Sequence, residues 1–183
     1  MPYSIGLYFD QETDLLIRKI WTLLDERKFG GYYHQSGNRP HLTLSIFNDV
    51  DISKAAYVLE HISQSLNPFS LSFQQIGLFP EPDMAIFWGP VVTKELLEIH
   101  SHIYKLFCEF STQPDFNFYT PGHWIPHCGL AMEIKNYSVV PQIIELCQTL
   151  PNPHIGWVTE IGLISFRPVK QLFSHPLLLP TER

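Results

Sequence analysis

Two histidines carry the clearest chemistry in this sequence. His41 stands in Arg39-Pro40-His41-Leu42-Thr43-Leu44, and His127 in Trp124-Ile125-Pro126-His127-Cys128-Gly129-Leu130-Ala131. Each follows a proline and opens a short apolar-rich run, one in each half of the chain. Histidine, with an ordinary pKa of about 6.5, populates both protonation states near neutrality, so one imidazole can take a proton while the other gives one. Opening a cyclic phosphate needs that pair: a base to activate water and an acid to protonate the departing ribose oxygen. Charge then builds on the non-bridging phosphate oxygens, where fixed donors must meet it. Strand alternation puts His41, Thr43 and Ser45 on one face and Leu42, Leu44 and Ile46 on the other, making Thr43 the candidate donor. In the second run His127, Gly129 and Ala131 share a face, opposite Cys128, Leu130 and Met132. A single strand histidine is more often structural than catalytic; two in matching places argue for a site.

The elements that must position these residues follow from periodicity and punctuation. Tyr3–Phe9 alternates as a strand, and Gln11–Arg27 carries Leu15, Leu16, Ile20, Leu23 and Leu24 at helical spacing. Gly30-Gly31 breaks that helix. His41–Phe47 reads as a strand and Ser53–Leu66 as a helix with Ser53 at its N-cap. Phe69–Phe79 and Met84–Val92 read as strands around a loop holding Pro80 and Pro82. The second half repeats the rhythm: a helix over Lys94–Phe110, a loop with Pro114, Pro121 and Gly122, and a strand within Ile125–Ile134. A helix over Ser138–Leu150 has Pro141 in its first turn, where proline is tolerated. Gly156–Phe166 is a final strand region, and the tail from Arg167 is proline-punctuated. The order β-α-β-α-β, repeated, predicts an α+β chain of two similar halves with a cleft between them, residues 1–183 forming one domain.

At the two histidine runs the sequence resembles the two-histidine (2H) phosphoesterase superfamily, whose members include 2′-5′ RNA ligase-like and 2′,3′-cyclic nucleotide phosphodiesterase proteins. That superfamily carries two H-x-[T/S] motifs, one per lobe. "RPHLTL" matches the first, and "WIPHCGLA" resembles the second. The resemblance implies a bilobal α+β fold, with pseudo-symmetric lobes and antiparallel-rich sheets flanking a central cleft. It implies His41 and His127 as general acid and base, Thr43 as a phosphate-binding hydroxyl, and Gly129 at the second phosphate-binding position. Gly129 is the departure, since threonine or serine is usual there. Losing one hydrogen bond to a charged oxygen costs about 1.5–3 kcal/mol. A backbone N–H, or a water in the space left by the missing side chain, is the expected partial substitute. The implied reaction is metal-independent and needs no cofactor, and its substrate is a 2′,3′-cyclic phosphate RNA end or a 2′-5′-linked or cyclic nucleotide. The rival reading is a weakened or inactive module of the same fold that binds nucleotides or RNA ends.

The rest of the sequence bounds these readings. With 183 residues, 45% hydrophobic and 16% charged, the chain can bury a sizeable core. A net charge of −6 argues against tight binding to long duplexes, which needs a basic surface. A small nucleotide or single RNA end needs only a few local donors. No apolar run reaches the length of a membrane span and the first residues do not read as a signal peptide, so a cytoplasmic location is expected. The oligomeric state is left open. Cys108, Cys128 and Cys147 show no CxxC spacing; Cys108 and Cys147 are expected in the core. His100 and His102, two apart on a helix, do not face each other. No HExxH, P-loop or GxGxxG occurs, and neither histidine run holds a carboxylate, so a metal hydrolase has little support. Arg39, Arg167 and Lys170 are candidate phosphate-side cations. Tyr33, Phe79, Trp88, Tyr119, Trp124 and Phe166 are candidates for base stacking, with core packing expected for most.

Overall fold

The computed structural model describes residues 1–80, 84–114 and 118–178; Pro82 of the expected loop and the end of the tail lie outside the described residues. The chain begins with β1 (Tyr3–Phe9) and α1 (Gln11–Glu26). Asp10 starts the helix: its carboxylate accepts from the Thr13 backbone N–H, and Glu12 and Asp14 place negative charge where the helix dipole favours it. The buried face is Thr13, Ile17, Ile20, Trp21 and Leu24, whereas Leu15 is exposed. The expected break follows, with Gly30 at φ +126°, a conformation that glycine adopts readily. Next come a single turn, α2 (Tyr32–Gln35), then β2 (His41–Phe47), β3 (Asp49–Val50) and α3 (Ile52–Ser65). Asp51 caps α3, accepting from the Lys54 N–H; Ser53, the expected cap, falls inside the first turn.

The remaining elements are β4 (Phe69–Phe79), β5 (Ala85–Pro90), α4 (Lys94–Cys108), β6 (Ser111–Thr112), β7 (Cys128–Met132), α5 (Val140–Cys147), β8 (His154–Ser165) and β9 (Lys170–Pro176). The tail after Arg167 therefore holds a strand that was not expected. β9 is mostly exposed, so it shows little hydrophobic alternation, and its prolines mark its edges: Pro168 precedes it and Pro176 ends it.

Among the described residues seven strands form one sheet in the order β2-β1-β8-β4-β5-β7, with β9 also against β8, and the pairs are antiparallel. The sequence halves are interleaved in it. β8, from the second half, lies between β1 and β4 of the first. Its length allows this: His154–Val158 pairs with β4, and Val158–Ser165 pairs with β1. The two histidine-bearing edges, β2 and β7, are the ends of the path and come against each other. Helices cross between the sides: α1 and α2 pack on β7, while α4 packs on β2. The core beneath the two motifs includes Leu42, Leu44, Cys128 and Leu130, all buried. No helix among the described residues is long and apolar enough to cross a membrane.

Candidate active site

Both motif strands are bulged at the same offset. On β2 the register steps from Ile5↔Ser45 to Gly6↔Thr43, leaving Leu44 unpaired. On β7 it steps from Ile86↔Ala131 to Phe87↔Gly129, leaving Leu130 unpaired. In each case the extra residue lies three positions after the histidine. The bulge breaks alternation: Leu44 and Ser45 are both buried, as are Leu130 and Ala131. Ser45 and Ala131 thus leave the faces on which simple alternation put them.

A bulge interrupts the ladder and frees backbone groups, which must find other partners. Here two indoles supply them. Trp124 Nε1 donates to the Thr43 carbonyl (2.9 Å), and Trp21 Nε1 donates to the Gly129 carbonyl (3.0 Å). Each indole is stacked in turn: Trp124 on His100, with centroids 4.0 Å apart, and Trp21 on Tyr33, at 4.9 Å. His100 donates its Nε2–H to the Tyr119 carbonyl (2.9 Å). The residue two after each histidine is therefore pinned by a tryptophan from elsewhere in the chain. Sequence reasoning missed the roles of Trp21 and His100; both look like ordinary helix residues.

The histidines themselves are anchored alike. His41 opens β2, and its Nδ1 lies 2.6 Å from the Arg39 carbonyl. His127 sits one residue ahead of β7, and its Nδ1 lies 2.7 Å from the Ile125 carbonyl. A carbonyl only accepts, so each Nδ1 carries the proton and each Nε2 is left for other chemistry. Among the described residues neither Nε2 has a hydrogen-bond partner. The motifs also touch: the His41 backbone amide faces the Cys128 thiol.

The two surroundings differ. His127 stands in an aromatic nest of Phe79 (4.9 Å), Phe87 (5.4 Å) and Tyr119 (6.2 Å). His41 has Tyr8 at 6.1 Å, and its ring lies against Gly6, where a Cβ would come within 3.3 Å of it. Burial pushes the His41 pKa down; the bond to Arg39 partly offsets this, and the charges of His127 and Arg39 push it further down. Burial also lowers His127, with the Ile125 bond opposing.

Of the expected phosphate contacts, Thr43 is half-buried on the His41 face, and its hydroxyl has no hydrogen-bond partner among the described residues. Gly129 has no vacant space beside it. A Cβ built there would lie 2.0 Å from Tyr33 Oη and 2.5 Å from its Cζ. The expectation of a water in an empty niche is corrected: a phenol fills it.

Arg39 is committed elsewhere. It makes a bidentate pair with Glu160 (2.8 and 3.1 Å) and lies 4.1 Å over the Tyr8 ring. The Arg167 charge acts on Tyr32, and Lys170 opens β9. Of the stacking candidates, Trp88 is a buried core residue between Phe73 and His154. Cys147 is buried as expected, whereas Cys108 is only half-buried. Among the described residues no group of three or more His, Cys, Asp or Glu side chains is placed to hold a metal ion.

A two-lobed, antiparallel-rich α+β fold with an H-x-T and an H-x-G strand at facing edges defines a protein of the two-histidine phosphoesterase kind. A family model described as the 2′-5′ RNA ligase superfamily matches residues 11–169, and the chain belongs to that superfamily. Its fold is similar to that of E. coli LigT complexed with 3′-AMP, which is 17% identical with a TM-score of 0.59, covering 98% of this chain and 100% of that one. LigT structures complexed with ATP and with phosphate are similar too. TT0787 of Thermus thermophilus is 14% identical with a TM-score of 0.61, covering 97% and 98%. Usb1 of Kluyveromyces marxianus is 10% identical with a TM-score of 0.54, covering 97% and 98%. No curated protein sequence matches.

Proposed function

We propose that this protein is a metal-independent phosphoesterase acting on 2′,3′-cyclic phosphate RNA ends or on 2′-5′-linked or cyclic nucleotides. His41 and His127 are its acid–base pair, and Thr43 and Gly129 lie at its phosphate-binding positions. One observation carries the proposal: each imidazole spends Nδ1 on the carbonyl two residues back and so presents Nε2. With a cyclic phosphate, one neutral Nε2 takes a proton from water as its oxygen bonds to phosphorus. The other imidazolium gives its Nε2 proton to the ribose oxygen as that P–O bond breaks. Equal anchoring lets either histidine begin as the base. The binding of 3′-AMP and ATP by LigT supports a small nucleotide or RNA end as the substrate. The acidic chain suits that better than a long duplex. Three free thiols suit the reducing cytoplasm.

A second reading, a weakened nucleotide-binding module, is favoured by Gly129 alone. A panel of 2′,3′-cyclic and 2′-5′-linked nucleotides separates the two: turnover that persists in EDTA supports the enzyme, and saturable binding without turnover supports the module. His41→Ala and His127→Ala are each expected to lower kcat by at least about 100-fold. Full activity in both variants, or its complete loss in EDTA, would overturn the mechanism.

A further inference from the structure

We propose that Tyr33 supplies the phosphate-binding hydroxyl that the second motif lacks, so that the site grips phosphate with Thr43 on one side and Tyr33 on the other. This rests on the phosphoesterase reading of the site. Tyr33 Oη lies 2.0 Å from where a Cβ of residue 129 would be, and a threonine or serine hydroxyl is one bond beyond that Cβ. The phenol oxygen and the missing hydroxyl therefore claim the same small space. Glycine at 129 is then a requirement of Tyr33: any side chain there collides with the end of the phenol.

The ring is held while its hydroxyl is not. Tyr33 stacks on Trp21 with planes 14° apart, and Tyr32 meets it edge-on at 5.4 Å. The same Trp21 indole bonds the Gly129 carbonyl, so one side chain fixes both the phenol and the strand that makes room for it. Yet among the described residues the Tyr33 hydroxyl has no hydrogen-bond partner. Tyr33 is half-buried, and an O–H without a protein partner beside an H-x-G strand is a donor open to an incoming acceptor. Burial raises the Tyr33 pKa far above its ordinary value, so the group remains a neutral donor wherever the histidines work. A non-bridging phosphate oxygen is the acceptor that the chemistry supplies at this position.

The test uses the full chain. Tyr33→Phe keeps the stack on Trp21 and removes only the hydroxyl. Its kcat/KM on a 2′,3′-cyclic nucleotide is expected to fall roughly 10- to 100-fold, and its affinity for inorganic phosphate by about 10-fold or more, with Tm unchanged. Gly129→Thr alone is expected to be impaired, because its Cβ meets Tyr33. Tyr33→Ala/Gly129→Thr is expected to recover much of what Tyr33→Ala loses, by restoring the more usual arrangement. A Tyr33→Phe protein with wild-type kcat/KM and phosphate affinity would overturn the proposal. So would a folded double variant no better than Tyr33→Ala. Retained activity in His41→Ala and His127→Ala would instead overturn the underlying reading, and the phosphate titration would still decide on Tyr33.

Discussion

At the scale of single residues, His41 and His127 share one anchoring bond but not one electrostatic setting. In both, burial is the larger influence and favours the neutral ring, so each proton leaves at a lower pH than it would in water. His41 is pushed down further by the neighbouring imidazolium and by Arg39. The kcat/KM profile reports the free enzyme, so both limbs of its bell are expected below about 6.5, the ordinary histidine value. A bound phosphate anion favours the imidazolium form, and the kcat profile is expected to move to higher pH. Steady-state rates on a 2′,3′-cyclic nucleotide from about pH 4 to about pH 9 check this; kcat/KM limbs at or above the ordinary value would contradict it. The histidines and Thr43 could be proposed from the sequence because the motif is local, with its parts two residues apart on one strand. Tyr33's place beside Gly129 could not be: the sequence offered it only as a stacking aromatic, and what fills the space beside a glycine depends on a turn far away in the chain.

At the scale of elements, the two bulges explain why tryptophans stand where they do. Alternation predicted the faces up to the bulge and failed beyond it, because nothing local marks Leu44 or Leu130 as the residue that drops out of register. Trp124 is buried, and its indole N–H is the donor that satisfies the Thr43 carbonyl. Trp124→Phe preserves a ring over His100 but leaves that carbonyl without its donor. The expected cost is about 1–3 kcal/mol, read as a lower urea midpoint at unchanged m-value, with a fall in kcat/KM because Thr43 is no longer pinned. Asp10 is the comparable device at the start of α1: its carboxylate accepts from the Thr13 backbone and hydroxyl and from the Trp157 N–H. Burial works against ionisation, but these bonds outweigh it, and the Asp10 pKa is lowered. The stability this contributes is complete above the unfolded value of about 3.9 and is lost as the pH falls through the lower folded value. Asp10→Ala is expected to lower stability by about 1 kcal/mol or more at about pH 7, with the gap to the wild type narrowing as the pH falls below the ordinary carboxylate value. Urea titrations at neutral and acidic pH measure it.

At the scale of the molecule, the alternation of strands and helices was readable along the chain, but the partnership of strands was not. Local pattern shows that a segment is a strand; it does not show that β8 will enter between β1 and β4. Nor did it reveal β9, whose exposed edge lacks an apolar stripe. That interleaving bears on whether the chain is one folding unit. Removing the second half would strip β8 from β1 and β4 and β7 from β5, leaving the first half with two separate strand pairs, β1-β2 and β4-β5, and exposed strand edges. Removing the first half would take α1 and α2 from β7 and its Trp21 bond. Isolated two-stranded units are marginal at best, since neither has a sheet face it can cover alone. The intact chain is therefore expected to unfold in urea as a single transition, with tryptophan fluorescence and far-ultraviolet circular dichroism coinciding. A fragment ending at Val92 is expected to lack cooperative unfolding altogether. Two resolved transitions in the intact chain, or a fragment with a sigmoidal melt of its own, would show that the lobes are separable and that the site is assembled by docking rather than by folding.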